Sequence, residues 1–101
     1  MNHTQKYPDF SLRRDVLAIH VMKRLTIAHT EGDLLSLQDL ADELGVRRND
    51  VRATISALHA QGYVDALRMR PTLAGFAIGN AVSDAELAPI RKALRVALRA
   101  A

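Results

Sequence analysis

Two short stretches with the spacing of amphipathic helices, separated by one glycine, most strongly constrain how this chain folds. The first covers residues 37–44 and the second covers Arg48 to Ala60. Gly45 lies between them and is suited to the left-handed conformation that ends many helices. The apolar positions, spaced by three or four residues, are Leu40, Ala41, Leu44, Val51, Ile55 and Leu58. This order predicts two packed helices joined by a tight turn.

Length and composition predict one small intracellular domain. The chain has 101 residues and no cysteine, which fits a reducing compartment and leaves no thiolate for a metal site. Only four residues are Phe or Tyr, so the core has to consist mainly of Leu, Ile, Val and Ala. No apolar run is long enough to cross a bilayer, and no signal peptide is evident. We expect a soluble, cytoplasmic protein that does not associate with membranes.

The charges are distributed unevenly along the chain, although the net charge is only +3. Residues 47–70 contain five arginines against Asp50 and Asp65, whereas residues 38–44 carry Asp39, Asp42 and Glu43. Such asymmetry indicates a polarised surface whose basic side can meet phosphate.

The residues before the first helical stretch predict an arm followed by a long helix. Residues 1–10 show no periodicity and are interpreted as a flexible arm, and Ser11 is suited to cap a helix that runs to about Thr30. This helix has two opposite apolar stripes, namely Leu12, Val16, Ile19 and Ile27 on one side and Leu17, Val21, Leu25 and Ala28 on the other. One stripe packs on the domain core. The other predicts either a second copy of the chain, which we favour, or cover by the C-terminal helix of the same chain.

The region after the second helix is ambiguous. Ser36 and Asp39 have capping-box spacing, residues 34–37 suit a short strand, and residues 63–69 alternate as a strand does. Beyond Pro71 the chain can return as a second strand through residue 78. Alternatively, Thr72 caps a short helix to residue 81, which we favour although Gly75 and Gly79 are poor helix formers.

A last helix is predicted for residues 83–101. Ser83 and Glu86 have capping-box spacing, and Pro89 is tolerated near a helix start. Its seam of apolar residues at heptad spacing comprises Leu87, Ile90, Leu94, Ala97 and Ala101. We predict a homodimer whose contacts are Leu17, Val21, Leu25, Leu87, Ile90 and Leu94.

The order of elements over residues 34–78 resembles the winged helix-turn-helix family of bacterial transcription regulators. The most specific agreements are Ala41, Gly45 and Val51, where that family has a small residue, a turn glycine and a branched aliphatic residue. The step from Thr72 to Gly75 is similar to the one that follows the wing in many small regulators. The chain departs at Arg47, where the family has a Ser or Thr cap, so capping must come from elsewhere, such as Asn49 or water. The wing is also short. The resemblance implies a mainly α fold with a small β element, a winged helix-turn-helix domain at residues 11–82, a long N-terminal helix and a C-terminal helix.

If Arg48–Ala60 is the recognition helix, its start carries side chains suited to reading DNA. Arg forms bidentate contacts with guanine, Asn with adenine, and further arginines pair with phosphate. The candidate DNA-binding residues are Arg47, Arg48, Asn49, Arg52, Ser56, Arg68 and Arg70. Asp50 opposes phosphate binding unless it pairs with a neighbouring arginine.

We therefore expect a small dimeric regulator that binds double-stranded DNA and represses by occupying a promoter. The alternative is a winged-helix module for protein–protein assembly that does not bind DNA. The four histidines have no metal-ligand spacing, and no catalytic constellation is evident, so we expect no enzyme activity, metal or cofactor. An effector ligand is left open.

Overall fold

The computed structural model describes residues 10–92, and the predictions that fall on residues 1–9 and 93–101 lie outside the described residues. The order of elements is α1 (Arg14–Glu31), α2 (Leu37–Leu44), α3 (Arg48–Ala60), β1 (Val64–Asp65), β2 (Arg70–Pro71) and α4 (Leu73–Ala81). The two strands form an antiparallel sheet in which Val64 pairs with Pro71 and Asp65 pairs with Arg70. The expected mainly α class with a small β element is confirmed.

Local capping signals explain α2 and the turn after it. Asp39 N–H donates to Ser36 Oγ at 3.0 Å, and Ser36 N–H donates in return to Asp39 Oδ2 at 3.0 Å. Gly45 ends α2 in the left-handed region at φ 69°, and its N–H donates to Ala41 O at 2.9 Å. The predicted capping box, turn and bounds of α3 are confirmed. The strand predicted at residues 34–37 is wrong, because the chain has no regular structure there until α2 begins at Leu37.

The start of α1 differs from the prediction. Ser11 does not cap the helix, which begins at Arg14, because Leu12 and Arg13 run extended beside the C-terminal part of the chain. Lys92 N–H donates to Ser11 O and Arg13 N–H donates to Ile90 O, each at 2.7 Å. These bonds hold the backbone before Arg14 out of the helical conformation.

One stripe of α1 forms the centre of the core, and it is the stripe that was predicted to bind a second copy. Leu17 and Val21 are completely buried and Leu25 is 1% exposed. The prediction that these three residues form a dimer interface is wrong, because their side chains pack within the chain's own core. That core also contains Leu12, Met22, Leu40, Ala41, Val51, Ile55, Leu58 and Val64.

The opposite stripe of α1 lies against the C-terminal segment of the same chain. Val16 and Ile19 line a small groove together with Leu87 and Ala88. His20 Nε2 lies 2.8 Å from Ala88 O, and Lys23 Nζ donates to Ala85 O at 2.6 Å. This stripe is therefore covered by the C-terminal part of the same chain, which was the less favoured of the two predicted alternatives.

The covering segment is not the helix that the sequence predicted. No helix is present between Ala81 and Lys92, so the prediction of a helix from residue 83 is wrong for the described residues. Pro89 disfavours helical geometry at Ala88, and the extended backbone directs carbonyl groups to α1 instead. Ile90 packs against the chain's own core and Leu87 against α1, while Leu94 lies outside the described residues.

Beyond Pro71 the favoured alternative is confirmed, because α4 runs from Leu73 to Ala81 with Thr72 as its cap. The alternative return strand through residue 78 is wrong, and the strand predicted at residues 63–69 is confirmed only at Val64 and Asp65. A hairpin turns at residues 66–69, and a helix capped by Thr72 follows at once, with Gly75 N–H donating to Thr72 Oγ1 at 3.2 Å. Gly75 and Gly79 face α1, and Gly75 also faces the residue before β1. A Cβ at Gly75 would overlap the carbonyl oxygen of Tyr63, and one at Gly79 would overlap the side chain of Thr26. The two glycines therefore allow α4 to approach closely.

No helix among residues 10–92 combines the length and apolar character needed to cross a membrane.

Candidate nucleic-acid interface

The first half of α3 presents a group of polar side chains to solvent. Arg48, Asn49 and Arg52 are exposed, and no hydrogen bond or ion pair within the described residues engages these side chains. Arg48, Arg52 and the exposed Ser56 follow at intervals of four residues, so they lie along one face of the helix. The structure thus brings four of the predicted site residues together.

Arg47 is oriented differently because its guanidinium group binds Asp50. Arg47 Nε donates to Asp50 Oδ2 and Nη2 donates to Oδ1, both at 3.0 Å. The Arg47 side chain is 24% exposed and that of Asp50 is 4% exposed. Arg47 thus lies at the edge of the exposed group, in a bidentate ion pair.

The charge of Asp50 is compensated within the chain. Burial by itself raises the pKa of the Asp50 carboxyl. The hydrogen bonds and charge of Arg47, with the charge of Arg14, outweigh burial and bring the pKa below its usual value. Asp50 is therefore an ionised, paired carboxylate, which meets the condition under which it does not oppose phosphate binding.

Asp50 also supplies the bond that the start of α3 needs. Arg47 N–H donates to Asp50 Oδ2 at 3.3 Å, which is the carboxylate half of a capping box. The expected substitute for the family's Ser or Thr was Asn49 or water, but here the third residue of the helix engages the backbone of the residue before it.

Arg14 also belongs to this region, although it is not among the residues predicted from the sequence. Its Nη1 lies 3.4 Å from Asp50 Oδ1, and its side chain is 53% exposed. Arg14 comes from the first turn of α1, 36 positions before Asp50. No local spacing links the two residues, so only the packing of α1 against α3 reveals the contact.

The structure places the two hairpin arginines apart from this group. Arg68 lies in the turn, where its Nη1 donates to Asp65 Oδ2 at 2.8 Å, and this bond lowers the pKa of Asp65. Arg70 is exposed and borders two adjoining grooves that also contain His29.

The length of α1 gives the scale of that separation. Arg14 and His29 are 15 positions apart on the helix, which corresponds to about 22 Å along its axis at about 1.5 Å per residue. The Arg14–Asp50 contact and the groove beside Arg70 are therefore at opposite ends of α1. The predicted site divides into a cluster at the start of α3 and a second, separate basic position on the hairpin.

Comparison with protein families, with curated proteins and with solved structures gives no match to this chain. Among residues 10–92, no three His, Asp or Glu side chains converge closely enough to hold a metal ion.

Proposed function

We propose that this chain is a winged helix-turn-helix protein that binds double-stranded DNA with α3 in the major groove. The observation that carries the proposal is the unpaired group of Arg48, Asn49 and Arg52 on the exposed face of α3. This helix follows α2 after a turn of residues 45–47, which is the arrangement in which a second helix reads DNA. The hairpin before α4 takes the place of the wing.

The charges around this group support the proposal. Asp50 is buried and paired, so the surface next to Arg48 and Arg52 is not negative. Arg14 adds a half-exposed cation from α1. Arg48, Arg52 and Arg14 together provide up to three phosphate or base contacts. Asn49 adds the donor and acceptor pair that suits adenine.

Selection of bound duplexes from a random pool tests the proposal and identifies the preferred site. Wild-type protein should enrich one sequence, and its binding should weaken with salt. With two or three phosphates contacted, log K should fall by about 2 to 3 per log unit of salt. Failure to bind any duplex at low salt would contradict the proposal and favour the assembly alternative.

A matched pair of charge reversals tests the assigned surface. Arg52→Glu should weaken duplex binding at least tenfold, because it places a carboxylate against the groove. Lys92→Glu makes the same change in net charge at an exposed position on the C-terminal segment and should have a much smaller effect, because Lys92 is not one of the assigned contact residues. Equal losses would show that only net charge matters. The double variant Arg48→Glu/Arg52→Glu should remove specific binding while circular dichroism shows an intact fold.

Asn49→Ala separates base reading from phosphate binding. It should lower affinity for the selected duplex by about 5- to 150-fold, since a good bidentate base contact contributes roughly 1–3 kcal/mol of discrimination. Binding to unrelated duplexes should change little.

For the biological role, we propose that the protein represses transcription by occupying a promoter. A reporter gene carrying the selected site would test this role.

A further inference from the structure

An exposed apolar surface lies at the hairpin end of α1, away from the proposed DNA-binding group. Among the described residues, four large hydrophobic side chains are exposed, and three of them, Leu34, Leu67 and Leu73, border the two adjoining grooves next to His29 and Arg70. The grooves have volumes of about 500 and 630 Å³. We call this surface, with Leu34, Leu67, Leu73 and Arg70 as its markers, the leucine face. Clustering of such residues marks interaction sites more often than single exposed leucines do.

The conformation of the hairpin turn does not by itself favour an exposed leucine at position 67. Leu67 is 94% exposed at a position where turns favour Gly, Asn, Asp or Ser. Two residues later Met69 adopts φ 53°, a left-handed conformation that is uncommon for residues other than glycine. The turn thus combines an unfavourable backbone conformation at Met69 with a solvent-exposed apolar side chain at Leu67.

The leucine face carries one acidic and one basic side chain that could pair with the same face of a second copy. Asp33 and Arg70 both line the first groove, and neither side chain has a hydrogen bond or ion pair within the described residues. The other arginine of that groove, Arg68, is already paired with Asp65. In a two-fold dimer each surface contact occurs twice. Asp33 of one copy can therefore meet Arg70 of the other, and the reverse.

We propose that the leucine face binds a second copy of this chain in a two-fold dimer. Leu34, Leu67 and Leu73 would form its apolar centre, with two Asp33–Arg70 pairs at its edge. The surface lies about 22 Å along α1 from the Arg14–Asp50 contact, so the dimer leaves the start of α3 open. It replaces the interface predicted at Leu17, Val21 and Leu25, which are buried.

A duplex is a less suitable occupant of the same face. Asp33 lies in the groove and repels phosphate, and the charge of Arg68 is compensated by Asp65. Only Arg70 remains as an uncompensated cation there, whereas three leucines remain uncovered.

The leucine contacts are tested by sedimentation of the full chain without DNA. The wild type should dimerise reversibly, and Leu67→Ser should raise the dimer dissociation constant at least tenfold without loss of fold, because Leu67 is exposed in a turn. The matched control is Phe10→Ser, which removes the remaining exposed large side chain, 80% exposed and not part of either groove. This control should leave dimerisation unchanged. A wild type that stays monomeric at all accessible concentrations would overturn the proposal.

The charge pairs are tested by mixing two variants. Asp33→Arg and Arg70→Asp should each be monomeric alone, because like charges then meet across the two-fold axis. Mixed in equal amounts they should form a heterodimer, since both cross-chain pairs again join opposite charges. Absence of the heterodimer, or dimerisation of either variant alone, would overturn this geometry.

The Leu67→Ser variant also distinguishes a second copy from DNA as the occupant of the leucine face. If Leu67→Ser weakens duplex binding and leaves the mass measured by sedimentation unchanged, the face contacts DNA and the proposal is wrong. None of the sedimentation results depends on the proposed DNA binding.

Discussion

The guanidinium group of Arg47 and the carboxylate of Asp50 form a bidentate ion pair across the first turn of α3, with two N–O distances of 3.0 Å. The same carboxylate accepts the backbone N–H of Arg47 and contacts Arg14 on α1. The buried Asp50 side chain thus caps the start of α3 and links α3 to α1. Because its charge is paired, it does not make the adjacent basic surface negative.

Asp50→Asn should lower the free energy of unfolding at pH 7 by about 1–3 kcal/mol, because it removes a charged partner from Arg47 and Arg14. Because the native pKa of Asp50 is lowered, its stabilisation is present above the usual aspartate pKa of about 3.9. It is lost as the pH falls through the native pKa. Urea unfolding at a series of pH values should therefore show the wild type and variant converging below about pH 4. Exposed Asp84→Asn is the control and should cost little at any pH. A constant difference for Asp50→Asn down to pH 2 would contradict the ion-pair explanation.

The two serines at capping-box spacing should behave differently. Ser36→Ala should destabilise the protein by about 0.5–2 kcal/mol, because Ser36 Oγ accepts the Asp39 N–H at the start of α2. Ser83→Ala should cost less, since Ser83 begins no helix and its Oγ donates to Asn80 O at the end of α4, where the Ser83 backbone N–H also donates. Thermal unfolding of both variants makes the comparison, and equal losses would count against the difference in role.

Gly79→Ala should destabilise the protein by about 1–3 kcal/mol although alanine is the better helix former. The new Cβ would overlap Thr26 and lie 2.9 Å from Met22 O, so α4 has to move away from α1. Asn80→Ala, at the next and exposed position of α4, is the control and should be neutral or slightly stabilising. Denaturant unfolding measures both, and a stabilised Gly79→Ala protein would show that the two helices are not in close contact.

Arg91→Ala should loosen the C-terminal segment, because Arg91 Nη1 donates to Gly45 O at 2.8 Å. A net hydrogen-bond contribution of about 0.5–1.5 kcal/mol corresponds to a two- to tenfold faster exchange of the Arg13 and Lys92 amides. Lys92→Ala keeps the backbone bond of that residue and serves as the control. Unchanged exchange in Arg91→Ala would mean that other contacts hold the segment.

The parts of the fold that could be predicted are those that local signals determine. Ser36, Asp39 and Gly45 define the ends of α2 within a few residues of chain, and Val51 reports the buried face of α3. The candidate group at the start of α3 follows from the same local pattern. The pairing of Asp50 with neighbouring Arg47 was left open by the sequence, and the further contribution of Arg14 could not be predicted because Arg14 is 36 positions away.

The wrong predictions at α1 and at the C-terminal segment involve contacts between distant residues. Periodicity showed two apolar stripes on α1 but could not tell which one the rest of the domain covers, so Leu17 was assigned to a dimer. At the C-terminus, the spacing of Ser83 and Glu86 favoured a helix, whereas Pro89 and hydrogen bonds to α1 favour an extended segment. Gly75 and Gly79 were counted as weak helix formers, but their small size is what lets α4 pack closely.

The pairing of Leu12 with Arg91 has a consequence for the order in which the molecule folds. It joins residues 79 positions apart, and such a contact is entropically costly until the intervening chain is compact. The helices around Leu17 and Val51 can pack without it. We therefore expect the C-terminal segment to join α1 last during folding and to separate from it first during unfolding, which makes it a unit that opens while the helical core stays intact.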